Sequence, residues 1–216
     1  MKKLLILSTL CIGLISSLTV FSAPVYIKME TNRGDIFLEL NQEKAPISVG
    51  NFVQYTKDGF YDGTIFHRVI SNFMIQGGGY DADLIRKTPG ATIQNEATNG
   101  LKNHKGTIAM ARTNSPHSAT SQFFINVNDN PALDHTSQSN GRTWGYTVFG
   151  KVIKGMDIVD EIRFTQTGAS PPFRSDVPIK TMMIKKVSIL EKSPVSEQKE
   201  SALANINVTE TTTNTK

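Results

Sequence analysis

The stretch FHRVISNFMIQGGGY, Phe66 to Tyr80, sets a guanidinium (Arg68), two large apolar side chains (Phe73, Met74) and an amide (Gln76) close together ahead of three glycines. A guanidinium and an amide are hydrogen-bonding groups. Beside apolar side chains they make a site for a small apolar group flanked by amide. Side chains alternate between faces along a strand. In FMIQGG this puts Met74 and Gln76 on one face and Ile75 on the other, and in FHRVI it puts Arg68 with Phe66. In SQFFINV, Phe123, Ile125 and Val127 form the core face, leaving Gln122, Phe124 and Asn126 on the other, so Phe124 is an aromatic on a polar face. If Phe73, Met74 and Phe124 converge with Leu133 of NPALDH, they form a shallow apolar pocket with Arg68 and Gln76 at its rim. Pattern alone does not establish convergence. Ordinary edge contacts fit the same residues, because single exposed apolar side chains are common.

Other chemistries find less support. Gly77, Gly78 and Gly79 lack the G-x-G-x-x-G spacing before a helix and any Walker lysine, so they read as a turn or a close backbone approach. His67, His104, His117 and His135 show no metal-ligand spacing, and no cysteine lies near them. Ser115, Ser118 and Ser121 lie near His117 without a G-x-S-x-G elbow and read as loop polar residues. Neither metal nor cofactor is implied.

The chain opens with MKKLLILSTLCIGLISSLTVFSAPV: two lysines, an apolar run from Leu4 to Val20, then small residues at Ser22 and Ala23. This is the layout of a secretory signal peptide over residues 1–22, with cleavage expected after Ser22. An uncleaved anchor is the alternative, but the run falls slightly short of the ~20 residues that span a bilayer. Removing Lys2 and Lys3 leaves 21 of the 23 basic residues against 19 acidic ones, a net of +2. That balance implies no nucleic-acid partner. Cys11, the single cysteine, leaves with the signal, so no disulfide is expected in an oxidising compartment. Residues 191–216 carry few large apolar side chains and are expected to be a disordered tail; the NVT at Asn207 is a weak glycosylation match. One domain remains, residues 24–190, long enough for a substantial core.

Within it, VYIKME and DIFLEL alternate apolar and polar residues around TNRG, the mark of a β-hairpin. APISVGNFVQYTKDGF changes period, placing Ile47, Val49, Phe52, Val53 and Thr56 on one broad helical face, with Pro46 in the first turn and Gly59 as the stop. TIFHRVI, FMIQGG, GTIAMAR, SQFFINV, YTVFGKVI and MMIKKVSIL read as strands, and GMDIVDEIRF as a second short helix. Many short strands with two isolated helices argue for a closed barrel or a sandwich, mostly β, with helices over open ends.

FHRVISNFMIQGG, GTIAMAR, SQFFINV and VFGKVIKGMDIVDEI, in this order, resemble the cyclophilin family of peptidyl-prolyl cis-trans isomerases, nearest the secreted, periplasmic bacterial branch. The resemblance covers nearly all of 24–190. It implies a closed eight-stranded antiparallel β-barrel capped by two α-helices, with the active site on the barrel's outer face. It implies Arg68 as the catalytic arginine with Gln76 beside it, and Phe73, Met74, Ala111, Gln122, Phe124 and Leu133 as substrate-binding positions. Two departures stand out: Ala132 replaces the tryptophan that many eukaryotic members carry, and Tyr146 replaces their histidine, as in the bacterial branch, keeping a phenol donor at the rim. With no indole N–H at 132, cyclosporin binding is expected to be weak. The implied activity is rotation of X–Pro bonds in exported, flexible polypeptides by a periplasmic monomer without stable membrane association, secretion or surface display being the alternative. A proline-peptide holdase with incidental catalysis is the second reading.

Overall fold

The structure is a computed structural model that describes residues 23–194. The signal segment 1–22 and most of the tail lie outside the described residues. Strands β1 (Val25–Thr31) and β2 (Asp35–Leu40) form the expected hairpin, with Ile27 opposite Leu38 and Met29 opposite Ile36, all four fully buried. Helix α1 (Pro46–Lys57) follows, then β3 (Arg68–Ile70), β4 (Met74–Gly77), β5 (Thr107–Met110), β6 (Phe123–Asn126), β7 (Val148–Lys154) and helix α2 (Met156–Arg163). Strands β8 (Thr167–Ser170) and β9 (Phe173–Pro178) pair only with each other, and β10 (Ile184–Leu190) ends the series. The large sheet is antiparallel throughout, in the order β10-β1-β2-β7-β5-β6-β4-β3.

The expected closure is corrected here: the two outer strands, β10 and β3, share no ladder, and the sheet is open and curled. Only a bridge between Ile65 and Met183 and backbone bonds such as Phe66 N to Met182 O (2.9 Å) and Ile184 N to Thr64 O (2.8 Å) cross the seam. The cause is local. TIFHRVI is not one strand, because Phe66 and His67 leave the ladder before β3 begins. The same irregularity overturns the shared face of Phe66 and Arg68. Phe66 is fully buried in the core, its ring 6.2 Å from that of Phe123, while Arg68 stands outside.

Helix α1 covers one end of the curl with Val49, Phe52, Tyr55 and Thr56. Ile47, expected on that face, is 42% exposed, and Val53 is only partly buried. At ~100° per residue, positions 47 and 49 point nearly opposite ways. Ala45 offers no side-chain cap. Glu96 supplies one from a distance, accepting from Ile47 N, Ser48 N and Ser48 Oγ at 2.9, 2.8 and 2.7 Å, with its charge at the positive end of the helix. Helix α2 turns Val159 and Ile162 inward and packs on β2, β3 and β4. The core between them is aromatic: the Phe52 ring lies 4.8 Å from Tyr61 and 5.5 Å from both Phe123 and Phe149. The β8–β9 hairpin was not foreseen, because its Gly, Pro-Pro and Asp content reads as loop.

Candidate active site

On the outer face of the sheet, away from the aromatic core, a second apolar cluster forms where β4, β6 and β5 run side by side. Met74, Phe124, Ala109 and Val148 are its buried members, with Ile70, Phe73, Leu101, Ala111, Leu133 and Tyr146 packed around them. Strand alternation places the first of these: Phe124 pairs with Gln76 on one side and Ala109 on the other, while Phe123 and Ile125 point into the main core. Every residue of β6 is buried, because both faces of the strand are covered. Phe124 is thus not an exposed aromatic on a polar face but the 4%-exposed base of a small depression.

That depression has a volume of about 110 Å³ and is lined by Arg68, Phe73, Met74, Gln76, Ala111, Arg112, Phe124, Leu133 and Tyr146. A space of that size takes in one small apolar group, with the rest of any larger ligand left outside the depression. Eight of the nine residues singled out from sequence meet there. The ninth, Gln122, lies behind the rim, its Oε1 accepting a 2.9 Å bond from Gln76 Nε2. Gly79 leaves room for it: a Cβ at that position would fall 2.6 Å from Gln122 Cγ.

Each wall has its own local cause. The turn after β3, with Phe73 N bonded to Ile70 O at 2.9 Å, brings Phe73 to the face of Met74, which a straight strand forbids. Asn130 Nδ2 holds the Phe73 carbonyl at 2.8 Å. Leu133 closes the 3-10 turn Pro131–Leu133, and its carbonyl accepts from Tyr146 N at 2.9 Å, tying two wall residues together. The Tyr146 ring stands edge-on to Phe124 at 5.7 Å.

Arg68 reaches the rim 41% exposed, its Nε 3.7 Å from Asp176 Oδ2 on β9. Sequence reasoning missed three neighbours. Asp176 is brought in by an unforeseen hairpin, and Arg112 lies just past the end of β5, where alternation no longer assigns a face. His67 was weighed only as a metal ligand. It is buried between Tyr80 and Phe173, with ring centroids 4.6 and 5.4 Å away, and its Nδ1 has no partner among the described residues. Burial, aided by the adjacent Arg68 charge, lowers its pKa to about 4. The folded state therefore keeps His67 neutral while the unfolded chain takes up a proton near pH 6.5. Stability is unaffected above that pH and falls as the pH drops from about 6.5 to about 4, by about 3 kcal/mol in all. Unfolding midpoints measured across this range should show the decline in the wild type and a shallower one in His67→Gln.

A family model described as cyclophilin type peptidyl-prolyl cis-trans isomerase/CLD matches residues 26–189. A peptidyl-prolyl cis-trans isomerase of Streptomyces antibioticus is 55% identical over 165 residues, 76% of this chain and 98% of that protein. Peptidyl-prolyl cis-trans isomerase B of Escherichia coli K12 is 50% identical over 165 residues, covering 76% and 99%. Among solved structures, a cyclophilin type isomerase of Cryptosporidium parvum superposes with a TM-score of 0.64 at 27% identity, over 79% of this chain and 99% of that one. Its crystal structure in the presence of the dipeptide Ala-Pro matches at 0.63.

Proposed function

This chain belongs to the cyclophilin-type peptidyl-prolyl cis-trans isomerases, and on that premise we propose that Arg68 is its catalytic donor and that it acts on exported polypeptides. The carrying observation is Arg68 at the rim of a depression whose apolar lining is Phe73, Met74, Phe124 and Leu133. The depression takes the proline ring; the Ala-Pro dipeptide used with the Cryptosporidium parvum relative supports this occupant.

The chemistry follows from the amide. Resonance in the C–N bond sets a rotational barrier of roughly 18–20 kcal/mol, while cis and trans X–Pro differ by only about 1 kcal/mol. Acceleration therefore requires stabilising the twisted state. In that state the proline nitrogen becomes pyramidal and recovers its lone pair, so a donor aimed at it binds the transition state better than the planar ground state. Arg68 supplies that donor through Nη1 and Nη2, its Nε being turned toward Asp176. Gln76, steadied by Gln122, holds the substrate backbone. Ala111 and Tyr146 complete the rim. The pocket walls keep the ring still while the preceding carbonyl swings, and they exclude water from the nitrogen. No covalent bond is broken.

Ala132 is exposed beside Leu133 and offers neither an indole N–H nor a broad ring. Cyclosporin is accordingly expected to inhibit weakly; titrating isomerase activity with it measures this, and tight inhibition would remove the idea.

The signal-like segment 1–22 supports export to the periplasm as a single domain, residues 24–190, with the tail 191–216 dispensable. The protein then serves the folding of exported chains, whose slow steps include X–Pro isomerisation. Turnover of an Ala-Pro peptide, acceleration of refolding of a proline-limited exported protein, and recovery of a form starting at Ala23 from the periplasmic fraction test the three parts. Retention of the uncleaved chain in the membrane fraction would refute cleavage, recovery from the cytoplasmic fraction would refute export, and either leaves the catalytic reading standing.

A further inference from the structure

Arg112 is buried in part just past the end of β5, and three of its four guanidinium bonds go to a single loop. Nε and Nη2 donate to the carbonyl of Gly145 at 3.0 and 2.8 Å, Nη2 also to that of Gly141 at 2.6 Å, and Nη1 to that of Thr113 at 2.8 Å. Its plane covers the Tyr146 ring at 4.3 Å. We propose that Arg112 is a positioning residue that clamps residues 134–146 and so fixes the pocket wall that Tyr146 forms with Leu133. The inference rests on the reading of this depression as the substrate site.

The loop has neither helix nor strand; bonds such as Thr136 N to Thr143 O at 2.9 Å and Trp144 N to Asn140 O at 3.1 Å close it on itself, and Arg112 ties it to the end of the sheet. Both carbonyls that Arg112 holds within residues 134–146 belong to glycines at close backbone approaches. A Cβ on Gly141 would fall 2.0 Å from Asn114 O, and one on Gly145, at φ +71, 2.4 Å from His135 N. Asn95 Nδ2 adds a second donor to Gly145 O at 3.2 Å. Trp144 joins the loop to the neighbouring segment, its ring 4.8 Å from that of His117, and packs within the loop 5.9 Å from that of His135. A planar fork can serve two separated carbonyls and stack on a ring at once, which the compact ammonium of lysine cannot. When a wall is in place only part of the time, apparent substrate affinity falls by that fraction while the chemical step in the bound state is unchanged.

Trp144 is the chain's single tryptophan and lies within the clamped loop, so its fluorescence reports loop order independently of catalysis. In the purified protein, Arg112→Ala is expected to raise KM for an Ala-Pro peptide about tenfold with kcat within about twofold, as for a wall in place about a tenth of the time. The Trp144 emission should move to the red and its anisotropy fall. Arg112→Lys should behave alike, and it carries the test should the alanine variant not fold. Arg142→Ala removes an exposed cation from the same loop and should change neither readout. Unchanged KM and emission in the Arg112 variants, or an equal KM rise in Arg142→Ala, would overturn the clamp. If instead Arg68→Ala keeps full turnover, the catalytic reading fails, and the Trp144 signal still decides whether the clamp exists.

Discussion

Arg68→Ala is expected to lower kcat/KM for an Ala-Pro peptide by two to three decades with almost no change in stability. The rate loss follows from removing one preorganised donor, worth roughly 3–4 kcal/mol where such donors have been deleted from oxyanion holes, which converts to that factor. Stability should hold because the side chain is 41% exposed and its one ion pair among the described residues, at 3.7 Å, joins Asp176 at 33% exposure; pairs of this kind contribute about 0–1 kcal/mol. Arg68→Lys should fall between, since an ammonium keeps the charge and loses the two-nitrogen edge. Activity measured beside thermal unfolding separates the effects. Near wild-type turnover in a folded Arg68→Ala protein would sink the mechanism and favour the holdase reading, in which binding alone matters.

Two adjacent phenylalanines supply the second large effect, in opposite currencies. Phe123 is fully buried, its ring 5.5 Å from Phe52 and 5.6 Å from Tyr61, and it faces the main core. Phe123→Ala is expected to cost about 3–5 kcal/mol of stability, with turnover per folded molecule little altered. Phe124 faces the other way, into the pocket. Phe124→Ala removes its floor, and with it most of the apolar contact to a proline ring. Losing about 1.5–3 kcal/mol of such burial lowers kcat/KM by about 10- to 100-fold, on top of a smaller stability loss. Denaturant midpoints and peptide kinetics on both variants check the contrast. A folded Phe123→Ala that is inactive, beside a Phe124→Ala that turns over normally, would reverse the assignment of faces.

The same pair shows how far local pattern reaches. Alternation in SQFFINV correctly parted Phe123 from Phe124, and alternation in FMIQGG parted Ile75 from Met74 and Gln76, because a strand's pleat is a local property. It did not say that both faces of β6 are covered, since the cover over Phe124 comes from Leu133 and Tyr146, which lie outside the strand on later segments. Periodicity found α1 but placed Ile47 on its buried face, where Tyr55 belongs. It also ran TIFHRVI together as one strand, which hid both the open seam and the turning-away of Phe66 from Arg68.

By itself, the sequence determined the chemical inventory and its local geometry: an arginine, an amide and apolar side chains on short antiparallel strands, in motifs long enough to mark the family. Tertiary structure alone decided three things. Phe73, Ala111, Phe124, Leu133 and Tyr146, from separate segments, share one depression with Arg68, Met74 and Gln76; Gln122 supports Gln76 instead of lining the pocket; and Asp176 and Arg112 attend the site. The physical reason is one of range. Backbone period fixes which way a side chain leaves its own strand within a few residues, whereas what it meets depends on loop closures and on packing between elements that no local period encodes.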